Sequence, residues 1–340
     1  KGHGYHTYQG RNITRSSDIF DLASITKTVA TTSSIMKLKD LGKIDINKPV
    51  VHYLPKFKGS DKKYFNQKSK ITIKDLLAHA SGLPAFKQYY KEEKTRESVL
   101  ESIYDTVPIK SNRDTTIYSD VGAIILGEIV EKISGLSLDV FADSMIFKPL
   151  GMSTTFFNPP SNKKHRIIPT ELRPDDKVVH GYVHDENAYS LGGVAGHAGL
   201  FSTAKDLAVF SQMMLNDGLY GWKRIFKTET VSEFTTKANV VDGSSRLLGW
   251  DSPGGYASGG IYLGDNSFGH TGFTGTSMWI DPDQGIIVIL LTNAVHPNRK
   301  NKSPKYYDWR QRIHSGVYES LSISDKNPNL KLRPRWEEGE

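Results

Sequence analysis

The apolar residues of this 340-residue chain recur at helical spacing through its middle and near its end. Apolar side chains three or four residues apart mark the buried face of a helix. The clearest case is Ile124, Ile125, Ile129 and Ile133, and Gly135 follows as a stop signal. The same reasoning predicts helices over residues 24–41, 76–79, 121–133, 207–215 and 309–321.

Runs typical of strands gather after Gly221, where apolar residues alternate with polar ones or form short continuous stretches. A short edge strand is also expected within residues 1–20. The later predicted strands are Leu247–Trp250, Ala257–Leu263, Ser267–His270, Thr276–Ile280 and Ile286–Leu291, with a hairpin turn over Asp281–Gly285.

Helices in the middle of the chain and strands toward both ends predict an α+β (α/β) fold. We expect residues 1–45 and 200–325 to form an antiparallel sheet flanked by helices. Residues 46–199 are then an inserted, mostly helical lobe, and residues 326–340 a polar tail. The chain is long enough to bury a sizeable core in this arrangement.

Composition narrows the functional classes. The net charge is +7, but the basic residues are scattered and lack interleaved aromatic residues, which favours a mildly basic surface over a nucleic-acid site. The absence of cysteine excludes disulfides, thiolate catalysis and cysteine zinc sites. The longest apolar run, Gly285–Leu291, is far shorter than the roughly 20 residues of a membrane-spanning helix. No signal peptide opens the chain, and Lys1–Tyr8 looks like the interior of a structure, so we expect that a leader or further sequence has been removed.

Candidate chemistry begins with Ser24 and Lys27, three residues apart at the start of the first predicted helix. Residues at this spacing share a helix face, with Cβ atoms about 5–6 Å apart, so the lysine amine can reach the serine hydroxyl. A serine needs such a neighbouring base to act as a nucleophile near neutral pH. The spacing alone is a weak signal, because four other pairs share it: Ser34/Lys37, Ser60/Lys63, Ser161/Lys164 and Ser202/Lys205.

Two further segments carry groups that would complete such a site. Tyr118-Ser-Asp120 stands at the entrance of a predicted helix, where a tyrosine can project into a cleft and its neighbours can cap the helix. His270-Thr271-Gly272 ends a predicted strand, where glycine permits close backbone approach and leaves amides free to donate.

Other histidines are better explained by structure than by chemistry. His79 lies at a helix end beside a turn, a position that favours a structural role over a catalytic one. His184-Asp185-Glu186 has the composition of a metal site. Consecutive residues do not share a face, however, so a metal role is not favoured.

The order of these groups resembles the serine β-lactamase and penicillin-binding protein superfamily. Ser24-Ile-Thr-Lys27, Tyr118-Ser-Asp120 and His270-Thr-Gly272 are similar to its three motifs, which are related to Ser-x-x-Lys, Ser-Asp-Asn and Lys-Thr-Gly. The tyrosine resembles the class C-like branch, and His-Thr-Gly resembles some D,D-peptidases. The likeness covers most of the chain and implies a β-lactamase/transpeptidase-like fold.

The resemblance also implies acyl transfer without a cofactor or metal. Ser24 would attack a carbonyl, and Tyr118, Lys27 or both would take its proton. His270, as a cation or a donor, would stabilise the tyrosinate or a substrate carboxylate. The amides of Ser24 and Phe273 would form the oxyanion hole, in which one donor is worth about 10²–10³ in rate. Substrate contacts are expected from Asp120, Thr271, Gly272, Asn293 and Arg299, with a rim salt bridge as an equal alternative for the last two.

Two departures from the family pattern stand out. Only 23 residues precede Ser24, fewer than in most members, so part of the sheet is expected to be absent from this chain or to come from elsewhere. Asp120 replaces the commoner asparagine. Its charge would help to hold Lys27 protonated and so bears on which group is the base.

Three segments resemble one subgroup of the superfamily: Val183–Ala188, Gly192–Gly199 and Thr292–Arg299. Its members occur beside or fused to β-N-acetylglucosaminidases and are linked to cell-wall recycling, and some cut the amide between N-acetylmuramic acid and L-alanine. The resemblance thus implies an extracytoplasmic serine hydrolase of peptidoglycan-fragment amides (an N-acetylmuramyl-L-alanine amidase or D,D-peptidase-like enzyme), with a glycosidase as fusion or pairing partner. A promiscuous carboxylesterase or β-lactamase, and a catalytically silent module that binds wall peptides or β-lactams, are the alternatives.

Overall fold

The computed structural model describes residues 1–92, 95–175, 177–302 and 304–334. One large cluster of buried apolar residues joins the helices of the middle of the chain to the sheet that follows them. Leu22, Ile25 and Val29 belong to it, so the segment that carries Ser24 runs along the core. None of the helices in the described ranges is both long enough and apolar enough to cross a membrane.

The predicted helices are present, with shifted ends. The helix at Asp120–Ser134 buries Ile124, Ile125 and Ile129, and it ends at Gly135, whose φ of +74° suits glycine. The α-helices are α1 Ser33–Asp40, α2 Val50–Tyr53, α3 Phe65–Lys68, α4 Ile73–Leu77, α5 Tyr89–Glu92, α6 Arg96–Asp105, α7 Asp120–Ser134, α8 Leu138–Ala142, α9 Lys148–Leu150, α10 Glu186–Ser190, α11 Ala204–Leu215, α12 Thr228–Thr235 and α13 Pro304–Ser320.

The helix predicted over residues 24–41 is confirmed, but its first half is irregular. A 3₁₀ turn over Ala23–Ile25 leads into a π-helix over Lys27–Thr32, and α1 follows. π-Helical turns are rare and are found mostly at functional sites. Further 3₁₀ turns are Pro55–Lys58, Lys62–Tyr64, Ser161–Arg166 and Arg299–Asn301, and Asp143–Phe147 is also π-helical.

Two small sheets and a hairpin carry the strands. The strands are β1 Phe20–Asp21, β2 Phe156–Phe157, β3 Leu200–Ser202, β4 Leu219–Tyr220, β5 Lys223–Arg224, β6 Phe268–Thr271, β7 Ser277–Asp281 and β8 Ile286–Leu290. The sheets have the orders β1-β3-β2 and β6-β7-β8, and all of these neighbours are antiparallel. In β6 and β7, His270 lies opposite Met278. The α+β class and the antiparallel sheet flanked by helices are therefore confirmed.

Two predicted strands, Leu247–Trp250 and Ala257–Leu263, are wrong. Both segments are irregular, although Trp250 and Leu263 are buried. Gly249 has a φ of +81°, and a Cβ there would collide with the Thr32 hydroxyl, so the loop packs closely on the π-helix. Apolar content marked these segments as buried, but burial in a loop needs no strand.

The predicted lobe boundaries at residues 45 and 199 stay a prediction. Within the predicted tail, Leu330 pairs with Gly255 in a parallel bridge, and the Lys331 N–H donates to the Gly255 carbonyl at 2.8 Å. The described part of the tail thus packs on the domain, and residues 335–340 lie outside the described ranges.

Lys68 makes stability depend on pH. It is 2% exposed, its Nζ donates to the carbonyls of Tyr104 and Thr106, and burial lowers its pKa to about 8. Between pH 8 and the ordinary lysine value, the unfolded chain holds a proton that the folded chain has lost, so the free energy of unfolding should rise with pH there. Lys68→Met should flatten this rise in denaturant titrations at several pH values. The exposed neighbour substitution Lys70→Met should leave it intact; an equal effect of both would contradict the assignment.

Candidate active site

The Ser24 hydroxyl lies within hydrogen-bond reach of the Lys27 ammonium. Lys27 Nζ donates to Ser24 Oγ at 2.8 Å. The preceding residue, Ala23, has a φ of +47°, a strained conformation for a residue with a Cβ, and its N–H donates to Asp21 Oδ1 at 2.8 Å. Such strain clusters at functional sites. Of the five Ser-x-x-Lys pairs, all within the described ranges, only this one shows a side-chain hydrogen bond between its members.

Lys27 is held as an ammonium. It is 4% exposed, its Nζ lies 2.7 Å from Asp120 Oδ1, and it donates to the His197 carbonyl at 3.1 Å. Burial opposes the charged form, but Asp120 and then Tyr118 outweigh it and raise the pKa of Lys27 above the ordinary lysine value. A fully protonated amine cannot accept the Ser24 proton without giving one up. The sequence predicts that Asp120 helps to keep Lys27 protonated, and this ion pair is the physical cause of such an effect.

Tyr118 is surrounded by two cations and two histidines. Lys27 Nζ lies 4.9 Å from the centroid of the Tyr118 ring, and the Arg246 guanidinium lies 5.2 Å from the same centroid. The rings of His79 and His270 stand 4.6 and 5.8 Å away, measured between centroids. The Tyr118 ring thus has two basic side chains and two imidazole rings as neighbours.

His79 orients the Tyr118 segment. The Ser119 N–H donates to His79 Nδ1 at 3.0 Å, and the Ser119 hydroxyl accepts from the Gly122 N–H at 3.1 Å and caps α7. Burial, followed by Arg246, Lys27 and His270, holds the pKa of His79 well below its usual range. This neutral histidine has the structural role that its place in the sequence favours.

His270 differs from its expected chemistry. Its Nδ1 lies 2.8 Å from the Thr271 carbonyl oxygen, so Nδ1 carries the proton and donates. Burial, together with Lys27 and Arg246, lowers the pKa of His270 to about 3. Its Nε2 is therefore unprotonated at neutral pH, and it is buried without a partner in the described structure. The catalytic role of His270 stays a prediction; the lowered pKa favours a neutral ring whose free nitrogen accepts rather than a cation.

The turn between β6 and β7 is hydrogen-bonded directly to the residues before Ser24. Thr274 Oγ1 donates to the Asp21 carbonyl at 2.7 Å, and Thr276 Oγ1 donates to the Leu22 carbonyl at 3.0 Å. A Cβ on Gly272 would collide with the Leu22 carbonyl oxygen, so glycine is required at this approach. These contacts bring the backbone of Phe273 toward Ser24, and both residues line one cleft of about 360 Å³. Thr271 is half-buried beside them.

A charged network forms one wall of the cleft. Arg299 donates to the Glu171 carboxylate through Nε at 2.8 Å and through Nη2 at 2.6 Å, and its Nη2 also lies 2.6 Å from Glu186 Oε1. His184 Nε2 lies 3.0 Å from Glu171 Oε2, and the His184 N–H donates to Asp21 Oδ2 at 2.7 Å. Arg299, Glu186 and His184 all line the cleft.

Arg299 donates through Nε and Nη2, and Asn293 through Nδ2, to groups within the protein. Asn293 Nδ2 donates to the Pro169 carbonyl and, at 3.4 Å, to the Thr170 carbonyl. A substrate carboxylate that used these donor atoms would compete with their present acceptors. The substrate-binding roles of both residues stay predictions, and the salt-bridge alternative for Arg299 has direct geometric support.

His197, whose carbonyl accepts from Lys27, is itself paired with Asp185. His197 Nε2 lies 2.8 Å from Asp185 Oδ1, which also accepts from the Ala188 N–H and caps α10. Burial opposes ionisation of Asp185, but His197 holds the pKa of this carboxyl well below its usual range.

In the described ranges, no group of three or more histidine and acidic side chains is arranged to hold a metal ion.

Sequence analysis missed several of these groups. Asp21 and His197 had a usable signal, because an acidic residue within the apolar Ile19–Leu22 run and a histidine among glycines both suggest a buried polar contact. Arg246 gave no such signal in the sequence, because it lies in a polar loop and only folding brings it close to Tyr118.

The chain is similar to known proteins over most of its length. A family model described as Beta-lactamase matches residues 1–312. A protein of Salmonella gallinarum (strain 287/91 / NCTC 13346) named "Putative D-alanyl-D-alanine carboxypeptidase" is 38% identical over 303 residues, covering 82% of this chain and 70% of that protein. The octameric penicillin-binding protein homologue from Pyrococcus abyssi superposes with a TM-score of 0.68 at 22% identity, over 91% of this chain and 73% of that one. A family VIII carboxylesterase gives a TM-score of 0.66 at 18% identity, over 92% of this chain and 87% of that one. At such identities the structural matches establish a shared fold.

Proposed function

Because this chain belongs to the β-lactamase family and is a serine hydrolase, we propose that it cleaves amide bonds of peptidoglycan fragments through an acyl-enzyme on Ser24. The observation that carries the proposal is the 2.8 Å contact between Lys27 Nζ and Ser24 Oγ in a cleft that Tyr118 and Phe273 also line. A hydroxyl held in this way, beside a group that can take its proton, meets the geometric requirement for nucleophilic catalysis.

Tyr118 is the final proton acceptor in the proposed acylation step. Ser24 Oγ bonds to the substrate carbonyl carbon while its proton passes to the Tyr118 phenolate, directly or through Lys27, which then gives up one proton as it takes another. The amides of Ser24 and Phe273 donate to the developing oxyanion. As the C–N bond breaks, the Tyr118 hydroxyl returns the proton to the leaving amine. A water molecule then attacks the ester carbonyl while Tyr118 accepts its proton; the bond between the acyl carbon and Ser24 Oγ breaks, Tyr118 returns the proton to Ser24 Oγ, and the carboxylic acid leaves.

The substrate class rests on two lines of support. The relative from Salmonella gallinarum carries a name that refers to D-alanyl-D-alanine, a wall peptide end. The three segments that resemble the glucosaminidase-associated subgroup of the class C-like branch favour the amide between N-acetylmuramic acid and L-alanine instead. An extracytoplasmic location and pairing with a glycosidase go with either substrate and form part of this proposal.

Exposed aromatic rings in the cleft favour ester hydrolysis as the second candidate function. The rings of Phe86 and Phe273 line it and remain 44% and 46% exposed, so an apolar acyl group has surfaces on which to pack. Small activated esters need no specific anchor. A silent binding module is less well supported, because the ammonium beside Ser24 is an arrangement that binding does not need.

The proposal predicts the products of a substrate comparison. With N-acetylmuramyl-L-alanyl-D-isoglutamine, mass spectrometry should detect N-acetylmuramic acid and the free dipeptide. Release of D-alanine from an acyl-D-alanyl-D-alanine peptide instead would favour a D,D-peptidase. Turnover of p-nitrophenyl acetate alone would support the esterase. If none of these reacts and a β-lactam leaves Ser24 unmodified, the silent module is supported and the proposal fails.

A further inference from the structure

Arg246 is the cation nearest to Tyr118 that no motif accounts for. Its guanidinium lies 5.2 Å from the Tyr118 ring centroid. Lys27, the other cation near this ring, comes instead from the helical segment that carries Ser24. The other groups around the ring, His79 and His270, are neutral because burial and the two cations lower the pKa of each. The strand that ends in His270 therefore supplies no positive charge to the phenol.

Arg246 is held in place by β6 itself. Its Nη1 forms an ion pair with Asp251 Oδ1. Asp251 in turn exchanges two backbone hydrogen bonds with Gly269, at 2.9 and 3.0 Å, immediately before His270. Lys27, the other cation beside the ring, is likewise paired, with Asp120 at 2.7 Å. Arg246 and its partner are both partly exposed, at 23% and 26% of their side chains.

We propose that Arg246 is a positioning residue that stabilises the Tyr118 phenolate through the guanidinium held 5.2 Å from the ring centroid. The inference rests on the proposed role of Tyr118 as proton acceptor. An arginine suits this role because it stays protonated across the whole working pH range and its planar guanidinium packs on aromatic faces.

The charge around Tyr118 sets the expected size of the effect. Lys27, Asp120, Arg246 and Asp251 are the charged groups that face it, and His79 and His270 stay neutral. At an effective dielectric near 20, a unit charge about 5–10 Å from an ionising group shifts its ionisation by roughly one to two pH units. Because Asp251 offsets part of the Arg246 charge, we expect loss of Arg246 to move the acidic limb of kcat/KM upward by about one pH unit.

The test follows p-nitrophenyl acetate hydrolysis by the full chain between pH 5 and 8. Arg246→Met should move the acidic limb about one unit upward, with activity about tenfold lower on the acidic side and recovered at higher pH. Arg246→Lys should keep the limb near its original position. The control Lys148→Met removes a distant, exposed cation paired with Asp143 and should leave the profile unchanged.

Two results would overturn the inference. One is a uniform loss of activity in Arg246→Met with the acidic limb in place, which indicates a structural role. The other, from a parallel assay of an ester that carries a free carboxylate, is a KM raised for that ester alone, which makes Arg246 a substrate anchor. Because the ester assay does not depend on the wall substrate, failure of the proposed amidase activity would remain distinguishable from failure of this inference.

Discussion

Ser24→Ala will lower kcat/KM by at least about 10³-fold for every substrate that the protein hydrolyses, because in the proposed mechanism Ser24 Oγ forms the acyl bond. Ser24 is half-buried at a 3₁₀ turn, and the change removes one hydroxyl that accepts from Lys27. The fold should therefore survive, and the melting temperature should stay close to that of the parent protein. Steady-state kinetics and mass spectrometry after incubation with a β-lactam measure the loss of turnover and of the covalent adduct.

Ser161→Ala is the matched control. Ser161 has the same Ser-x-x-Lys spacing with Lys164, but it begins an exposed 3₁₀ turn, and its side chain shows no contact with that lysine. Its activity should equal that of the parent protein. Retention of activity in Ser24→Ala, or an adduct mapped to another serine, would remove the nucleophile from the proposed mechanism.

Lys27→Met will reduce both activity and stability. The substitution removes the ammonium that contacts Ser24 and leaves Asp120 without its partner at 2.7 Å. Breaking such a buried pair costs about 3 kcal/mol or more. We expect kcat/KM to fall by about 10³-fold, as for loss of an acid–base group. Denaturant titration and kinetics on the same samples measure the two losses.

The double variant Lys27→Met/Asp120→Asn separates these effects. Replacing the unpaired carboxylate with an amide should recover most of the lost stability, but activity should stay low. Recovery of both would mean that Lys27 acts only by neutralising Asp120.

The pH dependence adds a second check on Lys27. Its pKa is raised above the ordinary lysine value, so its stabilising charge is present throughout the neutral range and is lost only as pH rises through that higher value. The acidic limb of activity therefore belongs to another group. If Lys27→Met abolished that limb while leaving measurable activity at every pH, Lys27 would be the titrating base.

Sequence analysis located the segments of the site because their signals are local. A three-residue spacing, a helix entrance and a glycine after a strand each depend on a few neighbouring residues, and the fold preserved all three. Its errors arose where one local pattern suits two structures. The apolar run at Leu247–Trp250 is buried, yet Gly249 turns it into a loop against Thr32.

The sequence by itself determined the α+β class, the helix and strand periodicity, and the order of the three motifs. Only the tertiary structure decided the charge states: a neutral His270 with an acceptor nitrogen, a charged Lys27 and an engaged Arg299. It also placed Arg246 against Tyr118, although 127 residues separate them in the chain. Spacing along the chain encodes contacts within a turn or a strand, whereas protonation depends on burial and on charges brought together from distant segments, and these exist only after folding.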